Sequence, residues 1–218
     1  MSDVRVIISD FGGVLTNPLE EAFFAWQAES GIQLEDLGGA MMAVGEQIGE
    51  NPLYKLERGE IEEVEFERLI EQQLRLRLGR ELQFTDFATF YFSKLSPNQP
   101  FLDFLFEYKA GGGRLALLTN NVKEWEPRWR AMLPIDELFE TVVDSGFEGM
   151  RKPEREIYQL THERVLALPG LGELRPEHCV LVDDIEHNCV AAEEFGWRAV
   201  QYRGECADVL GELRPLLG

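Results

Sequence analysis

Four short apolar runs, far apart in this chain, each stop at or just before a residue that can do chemistry. Residues 4–9 run into Asp10, and residues 115–118 run into Thr119. Residues 141–144 lead into a loop carrying Lys152, and residues 179–182 run into the pair Asp183 and Asp184. Short runs rich in Val, Ile and Leu without polar alternation read as strands buried on both faces. Between the later runs lie segments with helical spacing. Strands alternating with helices imply right-handed βαβ units and a parallel sheet covered on both sides. Ligands of such open sheets bind beyond the carboxyl ends of the strands. The rhythm therefore predicts an α/β, Rossmann-like fold and also a place where these distant residues meet.

One long interval breaks the rhythm. From about residue 18 to residue 92 no comparable strand is expected, and the pattern is helical. Segments 19–30 and 36–48 come first, the second weakened by Gly38, Gly39 and Gly45. A longer helix follows with Ile61, Val64, Leu69, Ile70, Gln73, Leu74 and Leu78 at spacings of three and four, closed by Gly79. A last one over 85–92 has Thr85 as a candidate cap. This stretch is an insertion after the first strand, so the expected division is a core of 1–16 and 96–218 with a small all-helical unit over 17–95. After Ser96 and Pro97 the expected order is helix 101–109, strand 115–118, helix 123–132, strand 141–144 and helix 153–166. Strand 179–182, helix 188–195, strand 198–201 and a terminal helix complete it. The aromatic group Phe101, Phe104, Phe106 and Tyr108 reads as helix packing rather than a ligand box.

Charge narrows the partners. The 218 residues carry 21 basic and 40 acidic side chains, a formal net charge of -19. Bulk electrostatics of that sign oppose nucleic acid and anionic membrane surfaces. An anionic ligand needs a local positive site, for which Arg151 and Lys152 are candidates. Cys179, Cys189 and Cys206 are odd in number and lack metal-ligand spacing, so they read as reduced thiols. No leader is recognised and no apolar run reaches membrane-spanning length, so the expected location is cytoplasmic. The expected state is a monomer or homodimer.

Each chemical residue has an ordinary explanation when taken alone. An Asp closing a strand is commonly a turn or cap residue, Thr119 could cap the next helix, and a lone lysine is usually a surface residue. Together they form an inventory. Asp10 offers a nucleophilic carboxylate followed by Gly12 and Gly13. Thr119 offers a hydroxyl, Asn120 adds donors beside it, and Lys152 offers a cation held between Arg151 and Pro153. Adjacent Asp183 and Asp184 repel each other at a strand end unless a cation intervenes, and Mg2+ is the natural one. Asn188 reads as the cap of the following helix. The set suits phosphoryl transfer through a carboxylate nucleophile.

At this point the chain resembles the haloacid dehalogenase superfamily, in its phosphatase-like branch with a small helical cap. DFGGVLT, LLTNN, RKP and VDDIEHN are similar to its four motifs, in order and at intervals of one βα unit. Lys152 lies 33 residues after Thr119, and Asp183 lies 31 after Lys152. The segment continuing into AAEEFGWRAV is similar to the N-terminal phosphatase domain of soluble epoxide hydrolases and to sugar-phosphate phosphatases with Gly in the first motif. The resemblance implies Asp10 as the nucleophile forming an aspartyl-phosphate, with Thr119, Asn120 and Lys152 binding the phosphoryl group. It implies Mg2+ on Asp10, Asp184 and the Gly12 carbonyl, with Asp183 supporting the metal site. It also implies a cap that closes over a small phosphorylated substrate, a sugar phosphate among the candidates. Asn17, Glu20, Glu21, Tyr54, Lys55 and Arg58 are the cap or hinge residues that could reach a leaving group.

Gly12 departs from the pattern. The residue expected there is a second aspartate acting as general acid and base, and losing such help typically costs about 10²–10⁴ in rate. The expectation is a preference for good leaving groups, or an acid borrowed from the cap, from solvent or from His187. Two other readings stay open. One is a non-catalytic module of the same fold that binds a phosphorylated ligand or a protein, which Gly12 favours. The other is phosphonate cleavage using Lys55 as a Schiff base; halide-releasing members of the superfamily generally carry an aromatic residue at position 12, which argues against dehalogenation.

Overall fold

The computed structural model of the chain describes residues 4–84 and 86–218. Five parallel strands make one sheet in the order β3-β2-β1-β4-β5. They are β1 (Val6–Ser9), β2 (Arg114–Thr119), β3 (Thr141–Asp144), β4 (Cys179–Asp183) and β5 (Arg198–Gln201). From β1 the chain builds outward to β2 and β3 on one side and to β4 and β5 on the other. The strand order thus reverses at β1, and a crevice opens at its carboxyl end.

Alternate residues of each central strand feed two different cores. Ile7, Leu115, Leu117, Val180 and Val182 point to one face. There they meet α6 (Gln99–Ala110), α7 (Glu126–Met132), α8 (Ile135–Leu138) and α12 (Cys206–Leu217). Val6, Ile8, Ala116, Leu118, Cys179 and Leu181 point to the other face, covered by α10 (Arg155–Leu166) and α11 (Glu186–Phe195). Both faces are apolar because both are covered, which is why the strands show continuous hydrophobic runs. The expected aromatic packing is present: Phe101 stacks on Phe104 and Phe104 on Tyr108, at centroid distances of 6.0 and 6.2 Å.

Between β1 and β2 the chain forms α1 (Leu19–Ser30), α2 (Leu34–Ile48), α3 (Pro52–Glu57), α4 (Glu63–Leu78) and α5 (Phe87–Lys94). These helices have their own core of Trp26, Ile32, Leu37, Ala40, Val44, Ile70, Leu74 and Phe84. The glycines expected to weaken α2 do not interrupt it. A β-carbon on Gly39 would lie 2.4 Å from the Arg77 guanidinium carbon, so that glycine lets α4 approach α2. Helix α3 was not anticipated, although its signal is plain: Asn51 accepts from the Leu53 N–H, and Pro52 opens the helix. The segment 123–132 is not one helix. A 3-10 turn over Lys123–Trp125 precedes α7, which restarts with Pro127 in its first turn. Thr85 lies outside the described residues, and α5 begins after Asp86.

The insert leaves and rejoins the core through two adjacent segments. Thr16 pairs antiparallel with Pro97. Asn17 N–H donates to the Ser96 carbonyl, and Ser96 N–H donates back to Asn17 Oδ1 at 2.8 Å. Asn98 Nδ2 holds the Val14 carbonyl and the Tyr202 hydroxyl, both at 2.7 Å. Asn17 and Asn98 thus fasten the doorway between insert and core.

Candidate active site

The sheet brings Asp10, Thr119, Asp183 and Asp184 to one edge. β1 pairs with β2 and β4, with Ser9 opposite both Leu117 and Val182, so the residues that follow emerge side by side. Lys152 enters from the loop after α9 (Ser145–Glu148). Its side chain is completely buried. The ammonium lies 2.6 Å from Asp183 Oδ2, 2.9 Å from Asp10 Oδ1, and donates to the Leu118 carbonyl at 2.9 Å. Burial works against its charge, but the attraction of Asp10 and Asp183 outweighs burial and raises its pKa. Lys152 is therefore a fixed cation at the carboxyl ends of three adjacent strands.

The three aspartates have different surroundings. Asp183 is fully buried, and both of its oxygens have partners. Its Oδ2 takes Lys152, and its Oδ1 accepts from Ile185 N–H and Asn188 Nδ2, each at 2.9 Å. Asp10 Oδ1 also accepts from the Phe11 N–H at 2.7 Å. Burial pushes the Asp10 carboxyl up to about 8; Lys152 opposes this, and Asp183 and Asp184 reinforce it. Burial and then Asp183 push Asp184 up to about 6. Like charges crowded in a low-dielectric place disfavour ionisation unless a cation is added.

The donor set fits Mg2+. Carboxylate oxygens of Asp10, Asp183 and Asp184 lie within 4.8 Å of one another. Three carboxylates face one ammonium, which leaves the charge of one divalent cation to be balanced. All donors are hard oxygens. Since both oxygens of Asp183 are already held by protein donors, Asp10 and Asp184 are the carboxylates with more capacity for a metal. Gly13 is required here: its φ is 70°, and a β-carbon would come within 2.5 Å of Asp184 Oδ2.

Two neighbours play parts that their sequence positions did not suggest. Asn188 does not cap α11. The helix starts at Glu186 with Ile185 at its N-cap, and Asn188 sits buried in the first turn, donating to Asp183. Asn120 uses its amide to clamp the Lys152 backbone, accepting from its N–H at 2.8 Å and donating to its carbonyl at 2.9 Å. Thr119 ends β2, fully buried, and borders the cavity above the site. It caps no helix, the next helical turn being preceded by Val122.

The space at Gly12 is filled by something else. A β-carbon there would lie 2.9 Å from Leu19 Cδ1 and 3.3 Å from Cδ2. A leucine of the insert thus occupies the volume that a side chain at position 12 would need. His187 is exposed on the first turn of α11.

The insert is fastened over this edge by ion pairs. Arg151 Nε lies 2.6 Å from Glu57, and its guanidinium sits 4.0 Å above the Tyr54 ring. Arg58 bridges Glu50 and Glu60 of the insert to Glu154 of the core, the last at 3.0 Å. Lys55 Nζ is held by Glu60 at 2.9 Å. Glu21 accepts from Asn17, and Glu20 is exposed and contributes to the negative field at Asp184.

The family profile of haloacid dehalogenase-like hydrolases matches residues 4–196, nearly the whole of this architecture. The chain belongs to that family. Among its relatives is the sesquiterpene phosphatase astK of Aspergillus oryzae, 26% identical over 225 residues, covering 98% of this chain and 97% of that protein. Another is acyl-CoA dehydrogenase family member 10 of Mus musculus, 28% identical over 98% of this chain. The chain spans 19% of the mouse protein's length. A haloacid dehalogenase family enzyme from Bacteroides thetaiotaomicron, in complex with magnesium and inorganic phosphate, shares the fold. Its TM-score is 0.64 at 21% identity, covering 92% of this chain and 95% of that one. The four motifs and the helical insert thus belong to a hydrolase of this superfamily. Among the described residues, no helix is long and apolar enough to cross a membrane.

Proposed function

We propose that this chain is a Mg2+-dependent phosphatase that hydrolyses a small phosphorylated metabolite through an aspartyl-phosphate on Asp10. The observation that carries the reading is the buried Lys152 ammonium 2.9 Å from Asp10, whose carboxylate lies within 4.8 Å of those of Asp183 and Asp184. A carboxylate that attacks phosphorus must meet an anionic group without being repelled by it. Lys152 neutralises that approach, and the Thr119 hydroxyl and backbone N–H groups around Asn120 bind the phosphoryl oxygens.

Asp10, Asp184 and the Gly12 carbonyl would hold Mg2+, and Asp183 would orient Lys152 and the metal site without direct ligation. When bound, the ion supplies charge neutralisation for the transferring phosphoryl group. Asp10 attacks in line, the P–O bond to the leaving alcohol breaks, and the alkoxide takes a proton from solvent. Water then attacks the acyl-phosphate, releasing phosphate and returning the carboxylate. We assign 1–16 and 96–218 to the core and 17–95 to a cap that excludes bulk water, in a monomer or homodimer. The relative that is a sesquiterpene phosphatase supports phosphatase chemistry for this chain.

The test is phosphate release from p-nitrophenyl phosphate and a panel of phosphate esters, with Mg2+, with EDTA and in Asp10→Asn. Metal-dependent turnover lost in the variant is the expected result. Gly12 with Leu19 in its side-chain space favours one other reading, a binding module without turnover. That reading predicts no release from any ester by a folded protein that binds Mg2+. Phosphonate cleavage needs a neutral, free amine on Lys55, and Glu60 pairs with that amine instead.

A further inference from the structure

The cavity above the site is apolar on nearly every side. It encloses about 240 Å³ between the helical insert and the core, bordered at the strand ends by Phe11, Gly12 and Thr119. Its walls include Phe23, Leu56, Phe87, Tyr91 and Trp125. The rings brace one another, with Phe87 stacked on Tyr91 at 5.8 Å and Tyr91 5.4 Å from Trp125. Such a wall is a shaped apolar surface.

The carboxylate and amide side chains bordering it are already engaged. Glu57 pairs with Arg151, and Glu63 accepts from Trp125 Nε1 at 2.6 Å. Glu67 accepts from the Phe87 backbone. Asn120 is clamped to Lys152, and Asn121 Oδ1 accepts from Val122 N–H. A sugar in this space would bury hydroxyls against rings and methyl groups, at the cost of their hydrogen bonds to water. An apolar group would gain by entering. Leu19 extends the apolar wall to Gly12 itself, where a side chain would otherwise intrude.

We propose that the cavity selects a phosphate ester whose leaving group is apolar. A cavity of 150 Å³ accommodates benzene, so by proportion this one accommodates roughly ten carbons. The inference rests on the phosphatase reading and adds the substrate class to it. Phosphate sits at Asp10 and Lys152, and the hydrocarbon lies against Leu19, Phe87 and Trp125.

The test is a series of 4-n-alkylphenyl phosphates from phenyl to 4-hexylphenyl, with 4-(hydroxymethyl)phenyl phosphate and a hexose phosphate as polar controls. In the alkyl series the leaving oxygen keeps nearly constant acidity while apolar length changes. Each buried methylene is worth about fourfold in kcat/KM, so 4-butylphenyl should exceed phenyl by roughly 10²-fold. The rise should stop near ten carbons. Met41 borders the cavity, whereas neighbouring Met42 is exposed. Met41→Glu should flatten the series while retaining turnover of phenyl phosphate, and Met42→Glu should leave the series unchanged. If Met41→Glu does not fold, the wild-type series decides alone. Asp10-dependent turnover that is flat across the series, or faster on the polar controls, overturns the substrate class and leaves the phosphatase reading standing. No Asp10-dependent release from any ester overturns both.

Discussion

Restoring a carboxyl at position 12 should convert a site without a general acid into one that has it, provided that Leu19 is moved. Built on Gly12, a β-carbon meets Leu19 Cδ1 at 2.9 Å. The clash is with the end of a half-buried side chain, so Gly12→Asp alone should cost about 1 kcal/mol, the low end for overpacking. Leu19→Ala alone should cost about 1–2 kcal/mol, less than a fully buried leucine. Because the two side chains compete for one space, the double variant should be more stable than the sum predicts by about 1 kcal/mol. The catalytic effect is read relative to Leu19→Ala, which controls for the enlarged cavity. A positioned acid is worth about 10²–10⁴ where the leaving oxygen needs a proton. Gly12→Asp/Leu19→Ala should therefore raise kcat/KM on an alkyl phosphate by at least about 10² and change p-nitrophenyl phosphate by less than about tenfold. Gly12→Asn/Leu19→Ala, of the same size but without the acid, should show no gain. Stability comes from urea melts and rates from phosphate release. Equal factors on both substrates, or the same gain with Asn, would refute the assignment of position 12 as the missing acid.

Three further outcomes follow from the same geometry. Mg2+ should stabilise the protein by about 2.7 kcal/mol at one hundred times its dissociation constant; Asp184→Asn should abolish that shift in a thermal melt, and an undiminished shift would remove Asp184 from the metal site. Asn188→Ala removes one of three donors to Asp183, so it should lower kcat by roughly tenfold while KM changes little, a loss of orientation of the kind seen for outer-shell partners; a change confined to KM would contradict that role. Asp144, at the end of β3, has one oxygen without a partner, and burial raises its carboxyl to about 7. A raised carboxyl favours folding below its unfolded pKa near 3.8, and that contribution is lost as pH rises through about 7. Asp144→Asn, which keeps the acceptor for the Gly146 N–H, should thus be more stable than the wild type at pH 8 by up to roughly 4 kcal/mol. It should have little advantage at pH 4, and a pH-independent difference in melting temperature would show that ionisation of Asp144 is not the cause.

Much of the fold was legible because buried parallel strands carry their signal locally. Residues 6–9, 114–119 and 179–183 are hydrophobic runs whichever helices cover them, and their polar ends were visible as Asp10, Thr119 and Asp183. Elements whose signal is short or shared were read less well. Helix α3 has six residues, too few for periodicity, and Pro127 divides a stretch whose spacing alone looks continuous. Asn188 looked like a cap because caps and first-turn residues differ by the position at which the chain turns, which depends on what Asp183 accepts.

The sequence by itself determined the parallel sheet, the helical insertion and the family, since hydrophobic periodicity and motif order are properties of the chain. It also determined which chemical groups stand at strand ends. Only the tertiary structure decided what surrounds them. That Lys152 holds Asp183, that Asn120 serves Lys152, that Leu19 fills the space at Gly12, and that Glu57 at the cavity is taken by Arg151 all depend on contacts between residues from 7 to more than 90 positions apart. No local pattern records such contacts, because each is fixed by how distant segments pack, within the core or between insert and core.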